Sequence, residues 1–270
     1  MSEGEAWARD LLRELRGGGY RVGAWVRFLD RSFARARTVR QERRREHRQA
    51  LLIGAVGFAA WAAVAAVWPW LALVGALWWL AVIAMLDWHL GMLEDEHGRQ
   101  LHRVGLPNLL SLARAAVMPA LPVASPALLS AILIPAGISD GIDGALARRR
   151  GEQTRLGAWL DGGVDTLVLS AAAVGAARHG LLPWWTAALV VGRYMVPWLV
   201  VSFAYFVRAA PPSRSGLVSG KAPGLVLFAG LALAALRLPG GLLFVVAGAA
   251  GGIATFGLTL LRARRLQPAA

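Results

Sequence analysis

Residues 51–86 read LLIGAVGFAAWAAVAAVWPWLALVGALWWLAVIAML, and none of these thirty-six residues carries a charge. A helix crosses a bilayer with roughly 20 apolar residues. The run is therefore too long for one span and just long enough for two short ones. Trp68-Pro69-Trp70 stands at its midpoint. Proline interrupts a helix and tryptophan favours the membrane–water boundary. The stretch is expected to form a helical hairpin, 51–67 and 70–86.

On either side the chain turns polar. Residues 1–50 hold 13 arginines and seven acids. From Gly23 to Ala50 this tail could lie as a basic helix on the inner leaflet, with Trp25, Val26, Phe28, Leu29 and Phe33 as apolar contacts. It could equally be a solvated arm that only fixes topology. It does not read as a cleavable signal peptide. Residues 87–104 are polar again and return the chain to the side where it began. Six more apolar segments follow, at 106–124, 126–147, 157–177, 182–206, 218–236 and 240–261. Their junctions carry turn residues: Ser125-Pro126, Gly180 to Pro183, Pro211-Pro212 and Pro239-Gly240-Gly241. The expectation is an all-α, polytopic membrane bundle of eight helices with both termini on one face.

Composition agrees. Apolar residues make up 57% of the 270, with a mean hydropathy of +0.51, where soluble domains sit nearer half. No cysteine is present, which excludes disulfides and thiolate metal sites. The formal charge of +13 would suit nucleic acid, but the basic residues cluster at the ends of apolar runs, where a bilayer places them. No nucleic-acid partner is expected. On one face lie the tail, Arg99, Arg103, the loop from Arg148 to Arg155, Arg208, Arg214, Lys221, Arg262, Arg264 and Arg265. On the other lie only Arg178 and Arg237. The first face is then cytoplasmic.

Acids are scarce where the chain is apolar. After Glu96 only Asp140, Asp143, Glu152, Asp161 and Asp165 occur, all inside the window DGIDGALARRRGEQTRLGAWLDGGVD at 140–165. A carboxylate at membrane depth is costly and marks function by default. Asp140 and Asp143 share one helix face, and so do Asp161 and Asp165. One pair closes a helix and the other opens the next, so the four can converge at one depth. Four bare carboxylates would repel one another, and cations resolve the conflict. With oxygen donors alone, the expected cofactor is Mg²⁺ or Mn²⁺, as two ions roughly 3.5–4 Å apart. The plainer reading is ion pairing to Arg148, Arg149 and Arg150. Gly144, Ala147 and Gly157 leave room for a flat group near the backbone, or else serve close helix packing. Arg148 is placed to meet a phosphate, and Thr154 offers a hydroxyl.

The window resembles the signature of the CDP-alcohol phosphatidyltransferases, D-x2-D-G-x2-A-R, eight residues, then G-x3-D-x3-D. Asp140, Asp143, Gly144, Ala147, Arg148, Gly157, Asp161 and Asp165 fill every fixed position. The resemblance implies a six-helix core over about 106–261 that transfers a phosphatidyl group from CDP-diacylglycerol to an alcohol and releases CMP. It implies that Asp140, Asp143 and Asp161 ligate two metal ions, and that Asp165 contacts one ion and is the general base. Gly144, Arg148 and Thr154 would then touch the CDP moiety. Pro107-Asn108-Leu109-Leu110-Ser111-Leu112-Ala113-Arg114 resembles the start of that family's first core helix, which implies that Asn108 and Ser111 line the nucleotide pocket. On its own, Asn108 reads as a helix cap.

The acceptor is read from basic residues. Arg193 stands in the middle of an apolar helix, where it needs an anion. Together with Lys221, and with Arg208 and Arg214 nearby, it could bind an acceptor phosphate. Glycerol 3-phosphate is the expected acceptor, with inositol phosphate or phosphatidylglycerol as alternatives. Ser219-Gly220-Lys221-Ala222-Pro223 departs from the Gly-Lys-x-Lys-Thr run associated with the glycerol-phosphate branch. From other classes, an ion-coupled transporter or a non-catalytic membrane scaffold would fit the hydropathy. A transporter, however, needs acids along a path across the bilayer, and these lie near one face. The expected organisation is a basic cytoplasmic or interfacial tail (1–50), an extra hairpin and linker (51–104), a catalytic core (105–262) and a basic C-terminal tail (263–270). The protein is expected in a bacterial cell membrane, its site facing the cytoplasm, with the hairpin available for a homodimer.

Overall fold

Proline at the first position of a helix costs nothing, because its missing N–H would have had no partner there. Pro69 uses this. In the computed structural model, helix α3 (Arg44–Ala65) ends before Trp68, and α4 (Pro69–Trp88) begins at the proline. The structure describes residues 3–95, 97–208 and 221–265. The other α-helices are α1 (Glu3–Gly17), α2 (Val22–Glu42), α5 (Leu106–Val117), α6 (Pro126–Arg150), α7 (Arg155–Arg178), α8 (Trp184–Arg208), α9 (Lys221–Ala235) and α10 (Gly241–Arg265). Among the described residues no strand forms. Helices α3, α4, α6, α7, α8 and α10 are long and apolar enough to cross a membrane, and the chain is an integral membrane protein.

One of the eight expected segments is shorter than the hydropathy suggested. Helix α5 stops at Val117, where a single 3-10 turn (Met118–Ala120) takes over. Pro119 and Pro122 explain this, since each lacks an amide donor and restricts the residue before it. Among the described residues α9 runs from Lys221 to Ala235, and the first three residues of the expected segment 218–236 lie outside them. Pro135 and Pro197, by contrast, sit inside helices that continue past them.

The chain divides into two compact units. One comprises residues 1–120, 138–164 and 205–211, the other 121–137, 165–204 and 212–270. In the first unit the hairpin closes through reciprocal notches. A Cβ on Gly57 would fall 2.1 Å from the Trp79 indole, and one on Gly75 would fall 2.3 Å from Trp61. Each indole thus lies where the opposing helix has no side chain, and Trp79 Nε1 donates to the Gly54 carbonyl at 3.0 Å. Trp61, Trp79, Ile83 and Leu86 share one apolar core with Val39, Leu90, Leu93, Leu112 and Leu156. The hairpin is therefore packed on α5 and on the start of α7. Trp78 Nε1 adds a hydrogen bond to the Ala115 carbonyl at 2.8 Å.

The basic tail is helical and anchored. Leu11, Leu12 and Leu15 of α1 are buried. Tyr20 Oη donates to the Phe206 carbonyl at 2.9 Å, and Trp25 and Phe28 pack against the Phe206 ring. Val22, Val26, Leu29 and Phe33 remain exposed along one stripe of α2. A polar layer ties these helices to the linker. Asp87 meets Arg40 at 2.5 Å and His47 at 2.6 Å, Glu46 meets His102 at 3.2 Å, and Gln49 accepts from the Val104 amide at 2.9 Å. In the second unit α9 and α10 pack at backbone distance, where a Cβ on Gly248 would fall 2.4 Å from the Leu227 nitrogen.

Candidate active site

Three helix ends in the first unit bring its polar groups together. Helix α5 starts after Gly105, whose φ of 79° belongs to the left-handed region that glycine adopts without strain. A Cβ there would also crowd Glu152 Oε2 at 3.0 Å. Glu152 accepts from Arg103 Nη2 at 2.5 Å. The fifth acid of the window is thus a brace between the linker and the α6–α7 loop, not part of the aspartate group.

Asn108, Ser111 and Arg114 follow one another at three-residue spacing on α5, and all are buried. Asn108 does not cap the helix. Its Nδ2 donates back to the Val104 carbonyl at 2.5 Å. Ser111 Oγ donates to the Pro107 carbonyl at 3.4 Å. Arg114 reaches furthest: Nη1 donates to Asp140 Oδ1 at 2.7 Å, and Nη2 to Asp143 Oδ2 at 2.7 Å and Asp161 Oδ1 at 2.9 Å. The cation that meets these carboxylates is Arg114, not the Arg148–Arg150 run. Nothing in the hydropathy pattern assigns Arg114 a role. The signal that could have done so is the one used for the acids, a charged side chain amid Leu, Ala and Val.

The C-terminal half of α6 carries Asp140 and Asp143, roughly two to three turns before its end at Arg150, and the first turns of α7 carry Asp161. Asp143 is 5% exposed, whereas the Asp140 and Asp161 side chains keep 43% and 47% of their surface open. Asp165 follows one turn later on the same unbroken α7. One oxygen from each of Asp140, Asp161 and Asp165 lies within 4.8 Å of the others. Two carboxylates about 4 Å apart repel by roughly 4 kcal/mol at the dielectric typical of protein sites. Positive charge relieves that repulsion. The donor set is oxygen alone, two of its members are open, and a guanidinium already sits among them. These residues fit a hard divalent cation.

Small residues shape the surroundings. Thr154 Oγ1 accepts from the Gly157 amide at 2.9 Å, which makes it the N-cap of α7. A Cβ on Gly157 would fall 2.7 Å from Asn108 Oδ1 and 3.1 Å from Thr154 Oγ1. The glycine lets α5 and the α7 cap approach. Gly144 leaves a similar gap beside the exposed Arg148, whose Nη1 would lie 3.4 Å from a Cβ there.

A family model described as CDP-alcohol phosphatidyltransferase matches residues 104–260. The chain belongs to this family. The match takes in α5 to α9 and most of α10, including Arg114 and the four aspartates, and leaves α1 to α4 outside.

Among curated relatives of this family member, a Mycobacterium tuberculosis protein named provisionally as a cardiolipin synthase is 38% identical over 85 residues, which cover 30% of this chain and 41% of the relative. A second protein of that organism, named as a probable phosphatidylglycerophosphate synthase, is 34% identical over 110 residues, covering 41% and 51%. A CDP-diacylglycerol–glycerol-3-phosphate 3-phosphatidyltransferase of Pectobacterium atrosepticum is 34% identical over 101 residues, covering 34% and 55%. The chain thus spans about half the length of the relatives it matches. No solved structure matches it.

Arg193 belongs to the second unit. It is 6% exposed on α8, its Nη1 donates to Tyr194 Oη at 3.1 Å, and its guanidinium lies where a Cβ on Gly252 of α10 would come within 1.8 Å. A groove in α10 therefore houses the arginine. Arg214, Pro211-Pro212 and Ser219-Gly220 lie outside the described residues, as do the side chains of Arg208, Lys221, Arg262, Arg264 and Arg265 and the tail beyond residue 265.

Proposed function

We propose that this protein transfers the phosphatidyl group of CDP-diacylglycerol to the hydroxyl of a small alcohol and releases CMP. The single observation that supports the reading best is the grouping of carboxylates from α6 and α7 within a segment matched by the family model. Asp140, Asp143, Asp161 and Asp165 would hold two Mg²⁺ or Mn²⁺ ions. When bound, such ions supply charge neutralisation for the pyrophosphate and for the departing CMP.

The rest falls to the chain's own side chains. Asp165, furthest along α7, accepts the proton of the acceptor hydroxyl. The freed oxygen attacks the lipid-side phosphorus, and the bond from that phosphorus to the CMP oxygen breaks. Asn108, Ser111, Gly144, Arg148 and Thr154 receive the nucleotide. In this reading Gly144 provides the space and Arg148 a positive charge for phosphate. Residues 105–262 act as the catalytic core, and 51–104 serve as a brace for α5. The site and both termini face the cytoplasm of a bacterial cell, the side favoured by the arginine distribution.

The acceptor in this reading is glycerol 3-phosphate, its phosphate bound by Arg193 and Lys221. The names of two relatives support it. A second acceptor, phosphatidylglycerol, is favoured by the relative named as a cardiolipin synthase. Purified protein incubated with CDP-diacylglycerol, Mn²⁺ and a panel of glycerol 3-phosphate, inositol phosphate and phosphatidylglycerol decides among them. CMP release that depends on glycerol 3-phosphate is the expected outcome. Release with phosphatidylglycerol alone would move the acceptor, and release with none of the three would sink the reading.

A further inference from the structure

Arg114 makes a contact pattern that a merely structural arginine does not need. Its two terminal nitrogens reach three carboxylates on two other helices, at 2.7, 2.7 and 2.9 Å, and Nη2 also lies 3.3 Å from Ser111 Oγ. The fork of a guanidinium suits such multiple acceptance. Its side chain is 5% exposed, and that of Asp143 is 6%. Water cannot take over as counter-charge for a carboxylate so enclosed. In the absence of divalent ions, Arg114 is therefore the charge that keeps Asp140, Asp143 and Asp161 facing one another.

The same oxygens are the ones a divalent ion would need. A guanidinium and a doubly charged ion on shared carboxylates repel each other, so full occupancy by one weakens the other. The backbone of α5 is held in place. Leu112 is in the apolar core, and the Ala115 carbonyl accepts from Trp78. What can move is the arginine side chain, which has several rotatable bonds.

We propose that Arg114 is a built-in place-holder for the metal ions: it holds the aspartates together while the site is empty of metal and yields their oxygens when ions bind. This role rests on the reading of the aspartates as ion ligands. Arg114 is then a positioning residue that sets how tightly ions are held, and it opposes their binding by a fixed electrostatic competition.

Full-length wild type, R114Q and R114K should be compared by Mn²⁺ titration calorimetry and by thermal unfolding in EDTA and in excess Mn²⁺. R114Q removes the charge. R114K keeps it but cannot fork to three carboxylates, and it guards against a glutamine variant that fails to fold. The expected result has two parts. In EDTA both variants unfold at lower temperature than wild type, R114Q more so, and Mn²⁺ raises their unfolding temperatures more than it raises that of wild type. R114Q binds Mn²⁺ about tenfold more tightly, within the usual range for coupling between two ligands, with R114K between. Mn²⁺ affinity equal to or weaker than wild type in the variants would overturn the place-holder role and leave the ion-ligand reading standing. Absence of Mn²⁺ binding by wild type and both variants would overturn both.

Discussion

Asp143 is enclosed by protein while Asp140 and Asp161 are half open, so the carboxylates cannot be equivalent. The enclosed one is bound to its neighbours, and the open ones face whatever enters. Asp165 has a different expected task from the rest, since in the proposed reaction it handles a proton. Replacing it with asparagine keeps size and hydrogen bonding but removes the basic oxygen. Asp165→Asn is therefore expected to abolish CMP release while CDP-diacylglycerol still binds, as measured by CMP formation and by donor binding in parallel. Full activity in that variant would remove Asp165 from the role of base. At this scale the acids were legible because a charge amid apolar neighbours stands out. Arg114 carried the same signal, but arginine is abundant in this chain and its meaning depends on which acids lie opposite, which only folding reveals. Thr154 reads in the sequence as a ligand group, and in the structure its hydroxyl oxygen also caps α7.

Helices rather than residues decide how firmly the site is built. The α3–α4 hairpin holds together because Trp79 fills the notch at Gly57 and Trp61 the notch at Gly75. A leucine at residue 57 would force the indole out of its place. Overpacking of this kind costs about 1–3 kcal/mol. Gly57→Leu is expected to lower the detergent-solubilised unfolding temperature. It should also reduce CMP release, because the same core contains Leu112 of α5 and Leu156 of α7. Loss of stability with unchanged release would mean that the hairpin is no brace for the site. The hairpin was readable from one proline and two tryptophans. Its real ends lie further out on the N-terminal side, at Arg44, because a helix whose apolar face is already packed carries its polar first turns with it. The partnership of the hairpin with α5 was not readable, since periodicity names a face but not its neighbour. The shortening of α5 was written in Pro119 and Pro122, and total hydropathy masked it.

For the whole chain, the sidedness of the arginines is the quantity that orients the bundle. His179 and Gln153 are exposed just beyond opposite ends of α7. The chain has no cysteine, so single cysteines at these two positions report orientation without background. In intact spheroplasts, an impermeant maleimide is expected to label His179→Cys and to spare Gln153→Cys. The reverse pattern would turn the protein over and place the site outside the cytoplasm. The membrane class and the grouping of the aspartates followed from counting charges against apolar runs, because the bilayer penalises stray charge so heavily. Crystals of the protein soaked with Mn²⁺ and examined by anomalous scattering would test the account most directly. Two peaks roughly 3.5–4 Å apart, bounded by Asp140, Asp143, Asp161 and Asp165, are expected. Density that is absent from this cluster at saturating Mn²⁺, or that lies elsewhere on the chain, would contradict it.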